Sequence, residues 1–407
     1  MSEMKEVCLG DYCEVFSGFA FRSNEFIDNS DNVVLVKGEN IGQGRILWDI
    51  SKYWSRKKVD GLERFLLRPG DVVLAMDRPW VPAGLKYAWI REGDPDALLV
   101  QRVARLRAKY GLEQEFLRYI IGTPAFTGYI HNSMRGVGVP HISGRQIEDY
   151  RFRLPSAARQ QKIAYILSTY DDLIENNFRR MALLEESARL LYREWFVRLR
   201  FPGHEHTRIV NGVPEEWRKG QVGDLGEIIT GKTPSTEDES NYGDDVQFIK
   251  TPDMHRQLII VETEQSLSEK GANSQSNKFI PNGSILVACI GAKLGVVSLT
   301  SERCQTNQQI NAVIPHHDSI RYYSFFALRD LKPMLQAMGG GATMPNVNKN
   351  KFSGLSLLIP PHSLMATFNE VVNPVFSQLR TLLLHNNNLK AARDLLLPRL
   401  MSGEITV

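Results

Sequence analysis

The sequence predicts an α+β fold made of two similar halves. Each half is a compact α/β domain followed by one long helix, and the two helices pack antiparallel as a coiled coil, so that a pseudo-twofold axis relates the halves. Two observations lead to this prediction: an internal repeat that runs through the chain, and two long heptad patterns of apolar residues. The repeat period lies far above the roughly 20–50 residues of a solenoid, which indicates a duplicated domain.

The repeat appears when residues 9–75 are compared with residues 222–288 without a gap, which places Gly18 on Gly231. At the same offset of 213, Lys37 falls on Lys250. After small insertions and deletions the match resumes at an offset of 205, where Leu154 falls on Ile359. Two copies of one binding unit suggest a target with two parts.

The first part of each half, residues 1–155 and 218–360, is a series of short β-like runs separated by Gly, Pro and Asn. A helical stretch follows late in each copy, at Glu113–Ile121 and at Ile320–Met338. Such segments predict compact, loop-rich α/β domains. Loops on a rigid scaffold commonly carry recognition, so we look for binding residues there.

The second part of each half is a long helix. In residues 156–200, behind a plausible N-cap at Ser156, apolar residues recur at alternating steps of four and three from Ile163 to Trp195. A linker (201–217) follows, and residues 361–407 form the second helix and a tail. A helix of about 40 residues is roughly 60 Å long, too long for the core of its own domain, so we expect the two helices to pack on each other.

The register of this pair follows from the pattern. If facing residues have numbers that sum to 563, Ile163 to Trp195 meet apolar partners, apart from two layers. One layer places Asn177 opposite Asn386, and such a buried Asn layer fixes register. The other places Tyr170 opposite Arg393, whose guanidinium is expected to lie on the tyrosine ring.

Composition is that of an ordinary globular protein, with 43% hydrophobic and 23% charged residues among 407. No run approaches about 18 apolar residues and the start has no apolar signal region, so we expect a cytoplasmic protein without a membrane partner. The net charge of +3 permits nucleic-acid binding without requiring it. The four cysteines show no metal-binding spacing and are interpreted as buried thiols.

Catalytic motifs are missing. An adenine methyltransferase needs an Asn-Pro-Pro or Asp-Pro-Pro motif and a Gly-rich loop after a strand, and the sequence has neither. The best carboxylate group for Mg²⁺ is Asp253 with Glu262 and Glu264, which we interpret as a solvated loop. His204-Glu205-His206 lies in the linker and is interpreted as a flexible polar segment. The sequence therefore predicts no catalytic residue, no metal site and no cofactor in this chain.

At this point several motifs resemble one family. The run Leu154–Phe196 is similar to the central conserved region of type I restriction-modification specificity subunits, and Pro214–Ser235 resembles the start of their second target-recognition domain. Shorter matches are GDVVLA (Gly70–Ala75), TNQQI (Thr306–Ile310), GATMPNVNKNKF (Gly341–Phe352) and DLLLPRLMSGEI (Asp394–Ile405). The first half departs from the pattern, with GVGVPHI (Gly136–Ile142) where the second has GATMPNV, and DRPWVPAGL (Asp77–Leu85) where the second has a GAKLG loop.

The resemblance implies a non-catalytic subunit that reads double-stranded DNA. Each target-recognition domain would read one half of an asymmetric, bipartite site, and the helix pair would set the gap. The helices would also dock two adenine-N6 methyltransferase subunits, which carry S-adenosylmethionine, with restriction subunits joining for cleavage. Two other classes stay open: a stand-alone DNA-modifying enzyme, and a protein–protein scaffold without a DNA role.

Candidate DNA contacts are polar or aromatic side chains with reach in loops, since Lys and Arg contact phosphates and guanine edges. In the first domain they are Lys37, Arg78, Trp80, Lys86, Arg135 and His141. In the second domain they are Lys232, Lys250, Arg256, Lys293, Asn346 and Lys349.

Overall fold

A computed structural model of the chain describes residues 5–81, 84–133, 141–255, 257–291, 294–339 and 346–407. The chain divides into two compact units. The first contains Met1–Leu173 together with Leu389–Val407, and the second contains Ile174–Asn388. Each unit therefore combines one domain with a segment of each long helix.

The first unit is built on a sheet with the strand order β2-β10-β5-β8 and a second sheet with the order β4-β3-β9. Its strands are β1 (Lys5–Cys8), β2 (Cys13–Ser17), β3 (Val33–Val36), β4 (Lys52–Trp54), β5 (Val72–Ala75), β6 (Trp80–Val81), β7 (Gly84–Leu85), β8 (Tyr87–Trp89), β9 (Ala97–Leu99), β10 (Val103–Ala108) and β11 (Arg151–Leu154). Its helices are α1 (Leu9–Tyr12), α2 (Gln114–Ile121), α3 (Pro124–Ser133), α4 (Gly144–Glu148) and the start of α5 (Ala157–Tyr192).

The second unit has a sheet with the order β15-β23-β20-β21-β18 and another with the order β16-β19-β17-β22. Its strands are β12 (Ile209–Val210), β13 (Val213–Pro214), β14 (Arg218–Gln221), β15 (Gly226–Thr230), β16 (Tyr242–Gly243), β17 (Val246–Ile249), β18 (Ile259–Ile260), β19 (Ser266–Leu267), β20 (Ile285–Ala288), β21 (Val297–Thr300), β22 (Cys304–Thr306), β23 (Ile310–Pro315) and β24 (Ser356–Ile359). Its helices are α6 (Thr251–Met254), α7 (Glu269–Asn273), α8 (Arg321–Asp330), α9 (Lys332–Gly339), α10 (Lys349–Ser353) and α11 (His362–Ser402), whose last turns belong to the first unit.

The predicted repeat is present in the strand pairing. β10 pairs with β2 and β5 in the first unit as β23 pairs with β15 and β20 in the second. The registers agree, because Val103 faces Ala75 as Ile310 faces Ala288, an offset of 207 on one strand and 213 on the other. β5 and β20 are buried at every residue. In each unit a helix, α2 or α8, covers one face of the strand and the second sheet covers the other, which explains the continuous apolar runs.

The late helical stretch predicted in the first copy is confirmed as α2, whereas the one in the second copy differs from the prediction. Instead of one helix over Ile320–Met338, the second unit has α8 and α9, with the break at Leu331 just before Lys332-Pro333. The first unit adds α3, which begins at Pro124. Proline suits the first turn of a helix but interrupts a helix that is already running, so each proline starts a new one.

The two long helices run antiparallel within each unit. In the first unit Arg159, near the start of α5, donates to the carbonyl of Ile405, just after the end of α11. Later in α5 and earlier in α11, Arg393 donates to the carboxylate of Asp171. In the second unit the ring of Trp195 lies 5.7 Å from that of Phe368, as the sum of 563 predicts. α5 ends in a short π-helix, Arg193–Val197, which presents Trp195 and Phe196 to the aromatic core.

The Asn layer has the predicted geometry. Nδ2 of Asn177 donates to Oδ1 of Asn386 at 2.8 Å, and Nδ2 of Asn386 donates to the carbonyl of Ile174. Arg393, in contrast, donates to the carboxylate of Asp171 at 2.6 Å and not to the predicted ring of Tyr170. A buried carboxylate one residue further along α5 attracts the guanidinium more strongly than an aromatic face does.

Replacing both asparagines with leucine is expected to raise the thermal unfolding midpoint, because two polar groups leave an apolar layer together. Replacing Asn177 alone is expected to lower the free energy of unfolding by about 1–3 kcal/mol, because Asn386 then loses its side-chain partner. Circular dichroism melts of the single and double variants test this contrast of sign. A double variant less stable than the single one would contradict it.

Burial accounts for the cysteines. It raises the pKa of Cys13 and Cys304 to about 12 and that of Cys289 to about 11, so these thiols stay protonated. Cys8 is half-buried. Within the described residues, no helix combines the length and the apolarity needed to cross a bilayer.

Candidate nucleic-acid interface

The first candidate loop begins where β3 ends, at Lys37. The fully buried side chain of Asn40 holds this loop, because its Oδ1 accepts from the backbone N–H of Lys37 at 3.0 Å. Its Nδ2 donates to the carbonyl of Leu47 and to the hydroxyl of Ser51. The loop is therefore fixed by a side chain from inside, and its outer side chains are presented on a defined backbone.

Lys37 and Lys86 meet at this loop. Nζ of Lys86 donates to the carbonyl of Gly38 at 3.2 Å, and Lys37 forms an ion pair with Glu39. Burial lowers the pKa of Lys86, and the charge of nearby Arg78 adds to that effect against the opposing charge of Glu39. Three of the predicted contacts, Lys37, Arg78 and Lys86, are thus brought together as a basic cluster with one carboxylate.

Arg78 has an unusual backbone. Its φ is +45°, in the left-handed region, and its side chain is exposed. The equivalent residue of the second domain, at the offset of 213, is Gly291, with φ of +94°. Glycine adopts this region freely, whereas a residue with a side chain pays about 1–3 kcal/mol. The first domain therefore has a strained arginine at the position where the second domain has glycine. Strain of this kind concentrates at functional sites.

Asp77 organises the surface beside Arg78. Its carboxylate lies 2.5 Å from Nδ1 of His141 and 3.0 Å from the guanidinium of Arg102. The backbone of Met76 is held on both sides, since its N–H donates to the carbonyl of Arg102 and its carbonyl accepts from Ile142. His141, a predicted contact, is thus part of a polar surface triad with Asp77 and Arg102.

Trp80 lies on the hairpin formed by β6 and β7. Its ring is half-buried, 5.8 Å from the ring of His131 in an edge-to-face arrangement. It also packs against the hydrophobic core of the first unit. Trp80 therefore anchors the hairpin, and its exposed part is what remains for a ligand.

The second domain repeats this backbone with different side chains. Ile290 forms a β-bridge with Asn346, as Asp77 does with His141, and Cys289 donates to the carbonyl of Gln309, as Met76 does to that of Arg102. The residues at the places of Asp77, Arg102 and His141 are Ile290, Gln309 and Asn346. Asn346, a predicted contact, is exposed at this place.

Lys250 and Lys232 lie on neighbouring loops of the second domain. The backbone N–H of Lys250 donates to Oδ2 of Asp253 at 2.7 Å, which matches the bond between Lys37 and Asn40 in the first domain. Lys232 donates its backbone N–H to Thr306, next to Asn307, whose N–H reaches the carbonyl that ends β17. The two lysines are thus presented on one set of hydrogen-bonded loops.

The other predicted contacts are more separate. Lys349 is exposed as the first residue of α10, behind the N-cap Asn348. Arg135, Arg256 and Lys293 lie outside the described residues. For all twelve predicted residues, contact with DNA stays a prediction.

The acidic group of the second domain is used structurally. Oδ1 of Asp253 accepts from the backbone N–H of Glu264 and its Oδ2 from Lys250, so this carboxylate closes the loop. Glu262 accepts a hydrogen bond from Asn387. In the part of the chain that the structure describes, no group of three His, Cys, Asp or Glu side chains is placed to hold a metal ion.

Sequence reasoning missed Arg102 and Gln309. Both lie in the short turn before the central strand, β10 or β23, and each receives the backbone hydrogen bond that places the candidate loop. Arg102 also has a positive φ, of +66°. Their shared signal is positional equivalence at an offset of 207, which becomes visible once β10 is aligned with β23.

Comparisons with known proteins agree with this architecture. The family described as "Type I restriction modification DNA specificity domain" matches residues 1–186 and 214–364. The type I restriction enzyme HindI specificity subunit of Haemophilus influenzae is 30% identical over the full length of both chains. The MjaIX specificity subunit of Methanocaldococcus jannaschii is 24% identical over 74% of this chain and 71% of its own.

A solved structure is similar in fold. The crystal structure of a type I restriction-modification system S subunit from M. genitalium aligns with a TM-score of 0.56 at 14% identity. The alignment covers 98% of this chain and 96% of that one.

Proposed function

The chain belongs to the family of type I restriction-modification DNA specificity subunits, and from this we propose that each of its two domains reads one half of an asymmetric, bipartite duplex site. The chain is the specificity subunit of such a system. We further propose that α5 and α11 set the gap between the half-sites and dock two methyltransferase subunits, with restriction subunits joining for cleavage.

One observation carries the proposal of two different half-sites. The candidate loops of the two domains are held by equivalent backbone hydrogen bonds, yet the side chains at equivalent positions differ in charge and shape. Asp77, Arg102 and His141 offer a carboxylate, a guanidinium and an imidazole, whereas Ile290 and Asn346 offer an apolar side chain and an amide beside Gln309, whose Oε1 accepts from Thr251 and Asn307. Arginine favours guanine edges, and Asn and Gln favour adenine edges, so like scaffolds here present unlike reading surfaces.

The chemistry would belong to the partners. S-adenosylmethionine would bind the methyltransferase subunits, and this chain would supply sequence selection and positioning in the cytoplasm, where the DNA is. Neither a stand-alone DNA-modifying enzyme nor a scaffold without DNA contact accounts for family membership together with the paired loops.

The test is methyl transfer. The purified chain with S-adenosylmethionine is expected to leave DNA unmethylated, and adding the methyltransferase subunit is expected to give adenine methylation at a two-part sequence. Sequencing of methylated adenines reads out both halves. Methyl transfer by the chain alone, or methylation at one undivided sequence, would end the proposal.

Arg78→Gly separates binding from stability. It installs the residue of the second domain and removes left-handed strain, so we expect equal or higher thermal stability. DNA affinity of the complex is expected to fall, by about 1–3 kcal/mol at one base position if Arg78 reads a base edge. If it contacts a phosphate, binding weakens at all sites and the salt slope drops by about 1.

Lys57→Ala is the matched control. Lys57 is exposed in the same domain, on the turn Arg56–Lys58, so it removes the same charge away from the candidate loops. Fluorescence anisotropy over a salt series compares both variants. Equal affinity for Arg78→Gly, Lys57→Ala and the unchanged protein would remove Arg78 from the interface.

A further inference from the structure

The internal repeat raises a question of pairing. α5 and α11 are equivalent helices at an offset of 205, so each presents a similar seam to a partner. A helix pair built from α5 and the α5 of a second copy would have the same antiparallel geometry. In an internally repeated chain, something must favour the unlike pair, α5 with α11, over the two like pairs.

The first selective contact is the Asn layer. Asn177 faces Asn386 at 2.8 Å in the unlike pair. At the offset of 205, Asn177 is equivalent to Leu382 and Asn386 to Met181, both buried. In a like pair of α5 helices Asn177 would therefore face Met181, and in a like pair of α11 helices Asn386 would face Leu382. Each amide would lose its partner inside an apolar layer.

The second selective contact is the ion pair between the buried Asp171 and the half-buried Arg393. Asp171 and Arg393 are equivalent to Phe376 and Ala188, which are buried in the aromatic core of the second unit. A like pair of α5 helices would place Asp171 against Ala188, and a like pair of α11 helices would place Arg393 against Phe376. Either charge would lose its partner on the facing helix and lie against an apolar side chain, which is unfavourable.

The domains continue this difference. Asp171 accepts from the hydroxyl of Tyr119 at 2.7 Å, and Arg118 lies 3.7 Å from its carboxylate. At the offset of 207 given by the aligned strands, Arg118 and Tyr119 correspond to Phe325 and Phe326. Both pack on Phe376, with ring centroids 5.6 and 6.1 Å away. One place in the repeat is thus ionic in the first unit and aromatic in the second.

We infer that Asn177, Asn386, Asp171 and Arg393 select the unlike pairing of α5 with α11 and reject like pairing with a second copy of this chain. Each of the four residues has a polar partner on the other helix that a like pair would not supply, and each would face an apolar side chain there; Asp171 would keep Tyr119 and Arg118, and Arg393 would keep Asp394. The inference concerns assembly and does not rest on DNA reading, so either can fail without the other.

The experiment removes the covalent link that would otherwise force the unlike pair. A protease site is inserted in the full chain at the exposed turn Asn211-Gly212 between β12 and β13, and the folded protein is cut there. The cut protein is held in urea just below its unfolding transition, so that the two fragments exchange, and native mass spectrometry counts the pairs. The fragments of the unchanged sequence are expected to remain as one-to-one pairs.

The key variant combines Asn177→Leu, Asn386→Met and Arg393→Ala, in which each residue becomes the one at the equivalent position of the other helix. It is expected to give like pairs in proportions approaching random pairing. Arg189→Ala, which removes an exposed ion pair with Glu186 on α5, is the matched control and is expected to keep one-to-one pairs. Retention of one-to-one pairs by the triple variant, or like pairing by the unchanged sequence, would overturn the inference.

Discussion

Replacement of Asp171 with alanine is expected to lower the free energy of unfolding of the first unit by about 3–5 kcal/mol. The carboxylate is 3% exposed and serves Arg393, Tyr119 and Arg118 at once. Burial is the largest single influence and acts to lower the pKa of Arg393, but the charge and hydrogen bond of Asp171, together with the charge of Asp394, raise that pKa overall. Burial and then the charge of Asp171 raise the pKa of Tyr119, which therefore remains a donor. Without Asp171, the buried Arg118 and the half-buried Arg393 lose a shared counter-charge and keep only Glu115 and Asp394, which lie at more exposed positions.

The neighbouring residue supplies the control. Asp172→Ala removes the same charge from an exposed position on the same helix turn and is expected to change stability by less than about 0.5 kcal/mol. Hydrogen exchange at the amides of α2 reports on the first unit alone, so the second unit does not blur the comparison. Equal protection of α2 in both variants would show that the network adds nothing to stability.

Exchange of residues 218–360 for the equivalent domain of a relative is expected to change one half of the methylated sequence completely and leave the other half intact. The expectation rests on the separate core of each domain and on the strand pair β14 with β24, which brings the two ends of the exchanged segment together. Exchanges at such ends disturb few backbone hydrogen bonds.

Mapping of methylated adenines with the hybrid subunit and its methyltransferase partner gives the result. The reciprocal exchange of residues 1–155 is the control and should change the opposite half. If one exchange altered both halves, the two domains would have to form a single composite reading surface.

Much of the fold was predictable because it is set by patterns that the sequence shows directly. The heptads from Ile163 to Trp195 predicted which helix α5 packs against and in which direction. The polar layer that Asn177 and Asn386 form within the apolar seam gave the register. Such a pattern reflects burial along one face of a helix, and it can be recognised without knowledge of the rest of the chain.

Side-chain partners that depend on three-dimensional proximity were less predictable. Arg393 was assigned to a ring because heptad positions were compared, whereas Asp171 lies one position off the seam and is buried by α2. The break between α8 and α9 was missed because the apolar spacing continues across Leu331. At the candidate interface, the lysines were predicted from their residue type. Arg102 and Gln309 were missed because their role depends on the position of their backbone in a turn.

The conformation of Arg78 also limits which residues can replace it in this loop. A backbone with φ of +45° admits Gly, Asn and Asp readily, tolerates an unbranched side chain at a cost, and excludes Val, Ile and Thr. Few residue types, most of them polar, can therefore occupy this position. In the second domain the equivalent residue is Gly291. A single codon change to arginine there would add a charged side chain to a loop whose backbone already has a positive φ.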